Sequence, residues 1–465
     1  MPQQGETVIS RTESLCPGCL TLVPALIIRN GADVFMRKTC PAHGDFETLI
    51  WRGHPPYEGW SRPKIPYRQA RPDTEVRLGC PFDCGLCPDH RQQTCTALIE
   101  VTSHCNLRCA YCFADSSPAG SPDPDLTQIR AQYETLLTSG HSCNVQLSGG
   151  EPAIRDDLPE ITALGRSMGF EFIQLNTNGL RIASDPRYLE RLKESGLSSV
   201  FLQFDGTENE IHKVLRGGDF LDRKLQAIEN CRQMELGVVL VPTLVSGVNL
   251  HNVGQIVSLA VENSPAVRGV HFQPVTYVGR YDKPPTGEDR ITLPDVMRAL
   301  EAYTGGIIAV ENLMPPGCEN ARCSFHGSFV VMPDGKLTAL TRRPTAPCSC
   351  KPEKAEVGAA RSRQCVAEQW SAVRTSPAGT KMEDIPMGQW DLVLERAFTH
   401  RLSISAMAFQ DVWNLDLDRL KDCCIHVVTR DGRLVPFCAF NQTGMDGRRA
   451  LYRRNGSALS TGMYV

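Results

Sequence analysis

The chain has no long apolar run, no excess of charge of one sign and no leader-like beginning, and each absence removes a class of protein. Its longest apolar stretches, such as residues 238–245, fall far short of the roughly 20 residues that span a bilayer. Lysine and arginine total 49 against 52 acidic residues, which leaves no global basic field for nucleic acid. Residues 1–12, MPQQGETVISRT, lack the apolar core of a signal peptide. The 20 cysteines cluster at metal-ligand spacings instead of being scattered as in a secreted disulfide protein. A reducing cytoplasm is therefore the expected compartment. At 465 residues the chain exceeds one ordinary core, so several domains are expected.

What is present is organised around residues 99–115, IEVTSHCNLRCAYCFAD, where an apolar strand-like run leads into Cys105, Cys109 and Cys112. Three cysteines at C-x3-C-x2-C can hold three irons of a 4Fe-4S cluster and leave the fourth bare. The competing reading is a structural zinc site or buried thiols, but structural zinc takes four protein ligands, and the next cysteine is Cys143. An earlier triad, Cys80, Cys84 and Cys87, repeats the spacing. It has Leu86 before its last cysteine and Cys95 a short loop further on, so these four are expected to close an auxiliary cluster. Tyr111 and Phe113 flank Cys112 and mark the second triad as the open one.

Upstream, Cys16-x2-Cys19 and Cys40-x2-His43 lie about twenty residues apart, the pattern of a compact tetrahedral site with a hairpin between its knuckles. Zinc and a rubredoxin-like iron both accept this geometry. Residues 54–73 are rich in proline, arginine and aromatics and read as an extended connector.

After Cys112 the pattern becomes a repeat. Strand-like runs at 97–101, 144–147, 171–176, 199–204, 237–244 and 269–275 alternate with helix-like segments at 126–138, 158–168, 188–194, 220–234 and 253–261. Crossovers long enough for a helix imply a parallel α/β sheet. Polar residues gather where the strands end: Gly149, Gly150 and Glu151; Asn176 and Asn178; Gln203 and Asp205; Thr243; then Gln273 and Arg280. In a barrel these loops carry the chemistry, although Asn178-Gly179 and Asp205-Gly206 are equally good turns.

Beyond residue 282 eight more cysteines appear, more than core packing explains, and a further Fe-S cluster is expected. Cys323, Cys423 or Cys424, and Cys438 have strand-like flanks, with Cys318 as the fourth; Cys348, Cys350 and Cys365 are the alternative set. The expected division is residues 1–75 for a metal-binding domain and linker, 76–98 for the auxiliary cluster, 99–282 for the barrel and 283–465 for a C-terminal cluster domain.

The Cys105-Cys109-Cys112 stretch, with SGGEP at residues 148–152, resembles the signature of the radical S-adenosylmethionine (SAM) superfamily. That resemblance implies a partial (β/α)6 barrel with Cys105, Cys109 and Cys112 as catalytic cluster ligands. It also implies a SAM amino group held at Gly149, Gly150 and Glu151, a 5′-deoxyadenosyl radical, and a low-potential electron donor such as ferredoxin or flavodoxin. Tyr111, Phe113, Asn176, Asn178, Gln203, Asp205 and Thr243 are then expected to touch SAM or substrate. Taken with CPGC…CPAHG, GCPFDCGLCPDH and the ending CCIHVVTRDGRLVPFCAFN, the chain looks like the tetraether lipid synthase group and its relatives, some proposed to methylate pterins. The resemblance implies carbon–carbon bond formation on lipid chains, met at a membrane surface, with pterin or small-molecule methylation as the alternative. A non-catalytic Fe-S electron carrier is disfavoured, because it has no use for an open iron or a GGEP loop.

Overall fold

A computed structural model of the chain describes residues 5–69, 74–140, 142–344, 352–373, 396–447 and 450–452. The chain begins as a four-stranded antiparallel ribbon, Glu6–Leu15, Leu22–Asn30, Asp33–Cys40 and Gly44–Trp51, paired in chain order. Period-two burial in Asp33–Cys40 turns Val34, Met36, Lys38 and Cys40 inward. Ile27, Val34, Met36 and Trp51 pack with Trp60 into the same apolar core as the barrel, so the ribbon is seated on the body of the protein.

Six parallel strands follow: Thr96–Thr102, Asn144–Gly149, Ile173–Thr177, Ser199–Gln203, Gly237–Val241 and Val267–Pro274. All six repeat positions read from the sequence are strands. Side-chain alternation explains why they stay in register. Val145 and Leu147, Ile173 and Leu175, and Val200 and Leu202 point outward into the helix-covered core. Their alternates, including Gln146, Gln174, Asn176, Phe201 and Gln203, line an interior cavity. Among the helices, Leu126–Thr138 begins at an Asp125 capping box, and Pro186–Glu194 begins with proline, where a missing N–H costs nothing.

The sheet does not stop at the sixth strand. Arg401–Met407 pairs in parallel with Val267–Pro274, and Ile425–Val428 pairs in parallel with Thr96–Thr102. Antiparallel strands complete each edge, giving 12 strands in one sheet. The C-terminal region is thus built onto both flanks of the barrel. Helix Ala355–Trp370 closes the end where the strands begin: the Asn144 amide donates to Arg363 O at 3.2 Å, and Arg268 Nε donates to Gln369 O at 3.0 Å. Among the described residues no helix is long and apolar enough to cross a membrane.

Candidate active site

Cys105, Cys109 and Cys112 lie on the loop that leaves the first barrel strand, and all three line the cavity mouth. Cys143 sits just before the second strand, at the opposite end of the barrel, so it cannot join them. The loop is clamped by Arg280. Its backbone exchanges two hydrogen bonds of 2.9 Å with Cys112, and its guanidinium donates to Cys109 O at 2.8 Å and Ser116 O at 3.0 Å. Arg280, expected near substrate, thus holds the loop. Tyr111 packs edge-on against Tyr277, and Phe113 against Phe437.

Gly149 and Gly150 let two loops touch. A Cβ on Gly149, whose φ is +118°, would stand 2.1 Å from Thr102 O, and one on Gly150 would stand 2.0 Å from His104 O. Only glycine tolerates this approach, so the SGGE turn lies directly against the cysteine loop. Glu151 is buried and already engaged. It accepts from Asn178 N and Thr177 Oγ1, each at 2.6 Å, and from Ala153 N at 3.0 Å. Desolvation nevertheless raises its pKa. Its carboxylate therefore fixes the Asn178 turn as well as facing the cavity. Asn178 Nδ2 in turn donates to Asn106 Oδ1 at 2.7 Å, tying the end of strand three to the cysteine loop.

Asp205 differs from the expectation of a ligand-facing acid. Its side chain is fully buried in a two-point ion pair with Arg216, both bonds at 2.7 Å. Arg216 also donates to Thr243 Oγ1 at 2.9 Å. Lys224, wholly buried, donates to Gln203 Oε1 at 2.8 Å and to Asn178 O, and burial lowers its pKa to about 8. Two acids and two bases thus form one desolvated network beneath the strand ends. Arg216 and Lys224 were not legible as site residues, because each lies in a helix whose other charges face solvent.

The cavity occupies about 640 Å³ and runs from the cysteine loop down the lumen to helix Ala355–Trp370, within the range of small-molecule sites. Asn176, Gln203, Thr243 and Gln273 line it, together with the ring trio Phe201, His271 and Trp370, whose centroids lie 5.6–6.0 Å apart. His271 Nδ1 pairs with Ser405 Oγ at 2.8 Å, and burial pushes its pKa down to about 4. The folded state therefore binds fewer protons than the unfolded chain between about pH 6.5 and 4, and stability falls as pH drops through that window. His271 alone is expected to account for a loss of about 3 kcal/mol by pH 4. A His271→Asn variant should flatten that part of the pH profile of urea midpoints, and an unchanged slope would contradict the assignment.

Among the described residues, two sets of the other thiols bring their ligand atoms together, and one of them is not a set that was expected. Cys16, Cys19, Cys40 and His43 bring their ligand atoms within 4.8 Å of one another, with Cys19 and Cys40 sulfurs 3.9 Å apart. Tetrahedral Zn–S bonds of about 2.3 Å set sulfur spacings near that value. A Cβ on Gly18 would stand 2.5 Å from the His43 ring. Gly18→Ala is accordingly expected to displace His43 and lower the ribbon's bound metal, as read by elemental analysis against the parent protein.

Cys80, Cys84 and Cys87 remain together, with Tyr452 Oη donating to Pro81 O and Phe82 O at 2.7 Å. Cys95 does not join them: it lies with Cys318 and Cys424, all three ligand atoms within 4.8 Å. The Cys95 and Cys318 sulfurs are in contact, but their Cα atoms are 7.5 Å apart, beyond the usual disulfide limit of about 6.8 Å; convergence on a shared metal centre suits this spacing better. Cys318 thus lies with Cys95 and Cys424, while Cys323, Cys423 and Cys438 of the expected C-terminal set lie in the same electrostatic neighbourhood, with Cys424 adjoining Cys423 and Cys323. Cys348 and Cys350 lie outside the described residues.

Comparison with known proteins places these features together. A family model described as "Radical SAM superfamily" matches residues 99–260, and one described as "HMPTM N-terminal zinc ribbon domain" matches residues 8–52. The chain is 36% identical to the 7,8-dihydro-6-hydroxymethylpterin dimethyltransferase of Methanocaldococcus jannaschii, over 93% of each chain. It is 30% identical to a probable GTP 3′,8-cyclase of Methanothermobacter marburgensis, over 54% of this chain and 85% of that one. Among solved structures, SuiB of Streptococcus suis bound to its precursor peptide SuiA aligns with 16% identity and a TM-score of 0.38, covering 47% of this chain and 46% of that one.

Proposed function

The chain belongs to the radical SAM superfamily, and on that footing we propose that it methylates carbon on a reduced pterin. The observation that carries this reading is the 36% identity to a pterin dimethyltransferase over 93% of both chains. The lumen supports it, because amide and imidazole groups facing a cavity suit a flat, hydrogen-bonding heterocycle. Coupling of lipid chains draws no support from the comparisons.

The residues at the mouth fit a 4Fe-4S cluster that keeps one iron open. Three loop thiols line the cavity mouth there, the next cysteine in the chain, Cys143, is at the far end of the barrel, and Gly149 and Gly150 bring the SGGE turn against the cysteine loop in an approach that any Cβ would block. When bound, the cluster and SAM would supply reductive sulfonium cleavage and a radical that takes hydrogen from the substrate, and a second SAM would supply the methyl group and leave as S-adenosylhomocysteine, with the reductant providing the electrons. The chain's own contribution is positional. Arg280 fixes the backbone that carries Cys109 and Cys112, Glu151 sets the turn at Asn178, and the Arg216–Asp205 pair locks Thr243 toward the cavity. The groups Cys80/Cys84/Cys87, Cys95/Cys318/Cys424 and Cys323/Cys423/Cys438 would hold auxiliary centres, and the ribbon's Cys3His set a mononuclear metal.

The test is anaerobic turnover of the reconstituted enzyme with SAM, a low-potential reductant and 7,8-dihydro-6-hydroxymethylpterin. Methylated pterin together with 5′-deoxyadenosine is the expected result. Formation of 5′-deoxyadenosine without any pterin product would overturn the substrate and leave the radical chemistry standing.

A further inference from the structure

The far end of the lumen carries charge that the methylation reading does not use. Helix Ala355–Trp370 presents Arg363, Val366 and Trp370 to the cavity, positions i, i+3 and i+7 that share one helix face. The helix is firmly seated: a Cβ on Gly237 would stand 2.2 Å from Trp370 O, and one on Gly358 would stand 2.3 Å from Gly317 O. Arg361 and Arg62 line the same end.

The positive charge there is under-compensated among the described residues. Arg62 and Arg361 share a single carboxylate, Glu353. Arg363 has no salt-bridge partner, and its Nη1 is buried without a hydrogen-bond acceptor. Burial depresses the Arg363 pKa, the sign of a cation stripped of water with little in return. Glu319, the acid that lines this end, is engaged by the Ser324 hydroxyl at 2.5 Å.

Higher in the lumen the lining is neutral and ring-shaped. Phe201, His271 and Trp370 form an aromatic wall. Asn176 Oδ1 is buried without a partner, and it faces the same cavity as the Gln273 amide. Arg363 and Trp370 are seven residues apart on one helix, an axial offset of about 10.5 Å. A ligand touching both is therefore longer than a bare ring system.

We propose that the lumen binds a heterocycle bearing a phosphoryl group on its side chain, with the ring against Phe201, His271 and Trp370 and the phosphoryl group on Arg363. This deepens the pterin reading and rests on it for the ring. Guanidinium groups are the natural partners, since they give forked, charge-assisted bonds to phosphate oxygens.

The test is anaerobic calorimetry of the cluster-loaded protein with 6-hydroxymethyl-7,8-dihydropterin, with its phosphate and diphosphate esters, and with inorganic pyrophosphate. At least one ester is expected to bind about tenfold or more tightly than the alcohol. Arg363→Gln should shrink that ratio to within about twofold, and Arg363→Lys, which keeps the charge, should retain part of it. The ratio is read on protein that binds, so a loss of folded material does not mimic the effect. Equal affinity for alcohol and esters, or a ratio untouched in Arg363→Gln, overturns the proposal while leaving the pterin reading intact. Binding of pyrophosphate that requires Arg363, with no pterin bound in any form, would keep the anion site and overturn the pterin reading.

Discussion

Cys109→Ala is expected to abolish 5′-deoxyadenosine formation, with a fall of about a thousandfold or more, equivalent to upwards of about 4 kcal/mol in the barrier. The substitution removes one of three thiols that together leave an iron open. No neighbouring side chain can replace it, because Cys143 lies at the other end of the barrel. The backbone should survive: Arg280 Nε binds the carbonyl oxygen of residue 109, not its side chain, and the Cys112–Arg280 bridge is untouched. The ribbon's metal content should therefore match the parent protein, while iron falls by one cluster's worth. Retained SAM cleavage in this variant would refute the assignment of the open cluster to this loop. A parallel loss of the ribbon metal would instead mean that the change had unfolded the chain.

The barrel was legible because its signal is local and repeated. Each unit places alternating apolar residues such as Val145 and Leu147 against helices, and a glycine or amide where the strand ends. The Cys105–Cys109–Cys112 loop and the ribbon's two knuckles were legible for the same reason, since all their ligands fall within a few residues of one another. Cys95 was misassigned because its partner Cys318 is 223 residues away, and spacing carries no information over that distance. The pairing of strands Arg401–Met407 and Ile425–Val428 with the barrel was hidden likewise: their parallel neighbours are remote in sequence, and no turn joins them. Occupancy was hidden too. Glu151 and Asp205 were expected to meet SAM or substrate, and only the structure shows Thr177, Asn178 and Arg216 engaging them.

Asp205→Ala is expected to destabilise the protein by about 3–5 kcal/mol. Asp205 and Arg216 side chains are 0% and 7% exposed, so removing the acid leaves a desolvated guanidinium with no carboxylate, its remaining partners being Thr243 Oγ1, Tyr111 O and the Cys109 thiol. Lys224 worsens this, because it lies in the same network and electrostatically opposes Arg216. The cost comes from the stranded charge more than from the lost attraction, and that distinction can be measured. Asp205→Ala/Arg216→Met removes both charges and should recover most of the stability in anaerobic urea titrations, as buried pairs replaced by apolar groups commonly do. Catalysis should not recover with it. Asp205 accepts Thr243 N at 3.0 Å and Arg216 fixes the Thr243 hydroxyl, so the double variant lacks both restraints on the end of strand five. Stability restored together with full SAM cleavage would mean that the pair serves the fold alone; a double variant as unstable as Asp205→Ala would mean that the pair's attraction, and not the isolated cation, sets the cost.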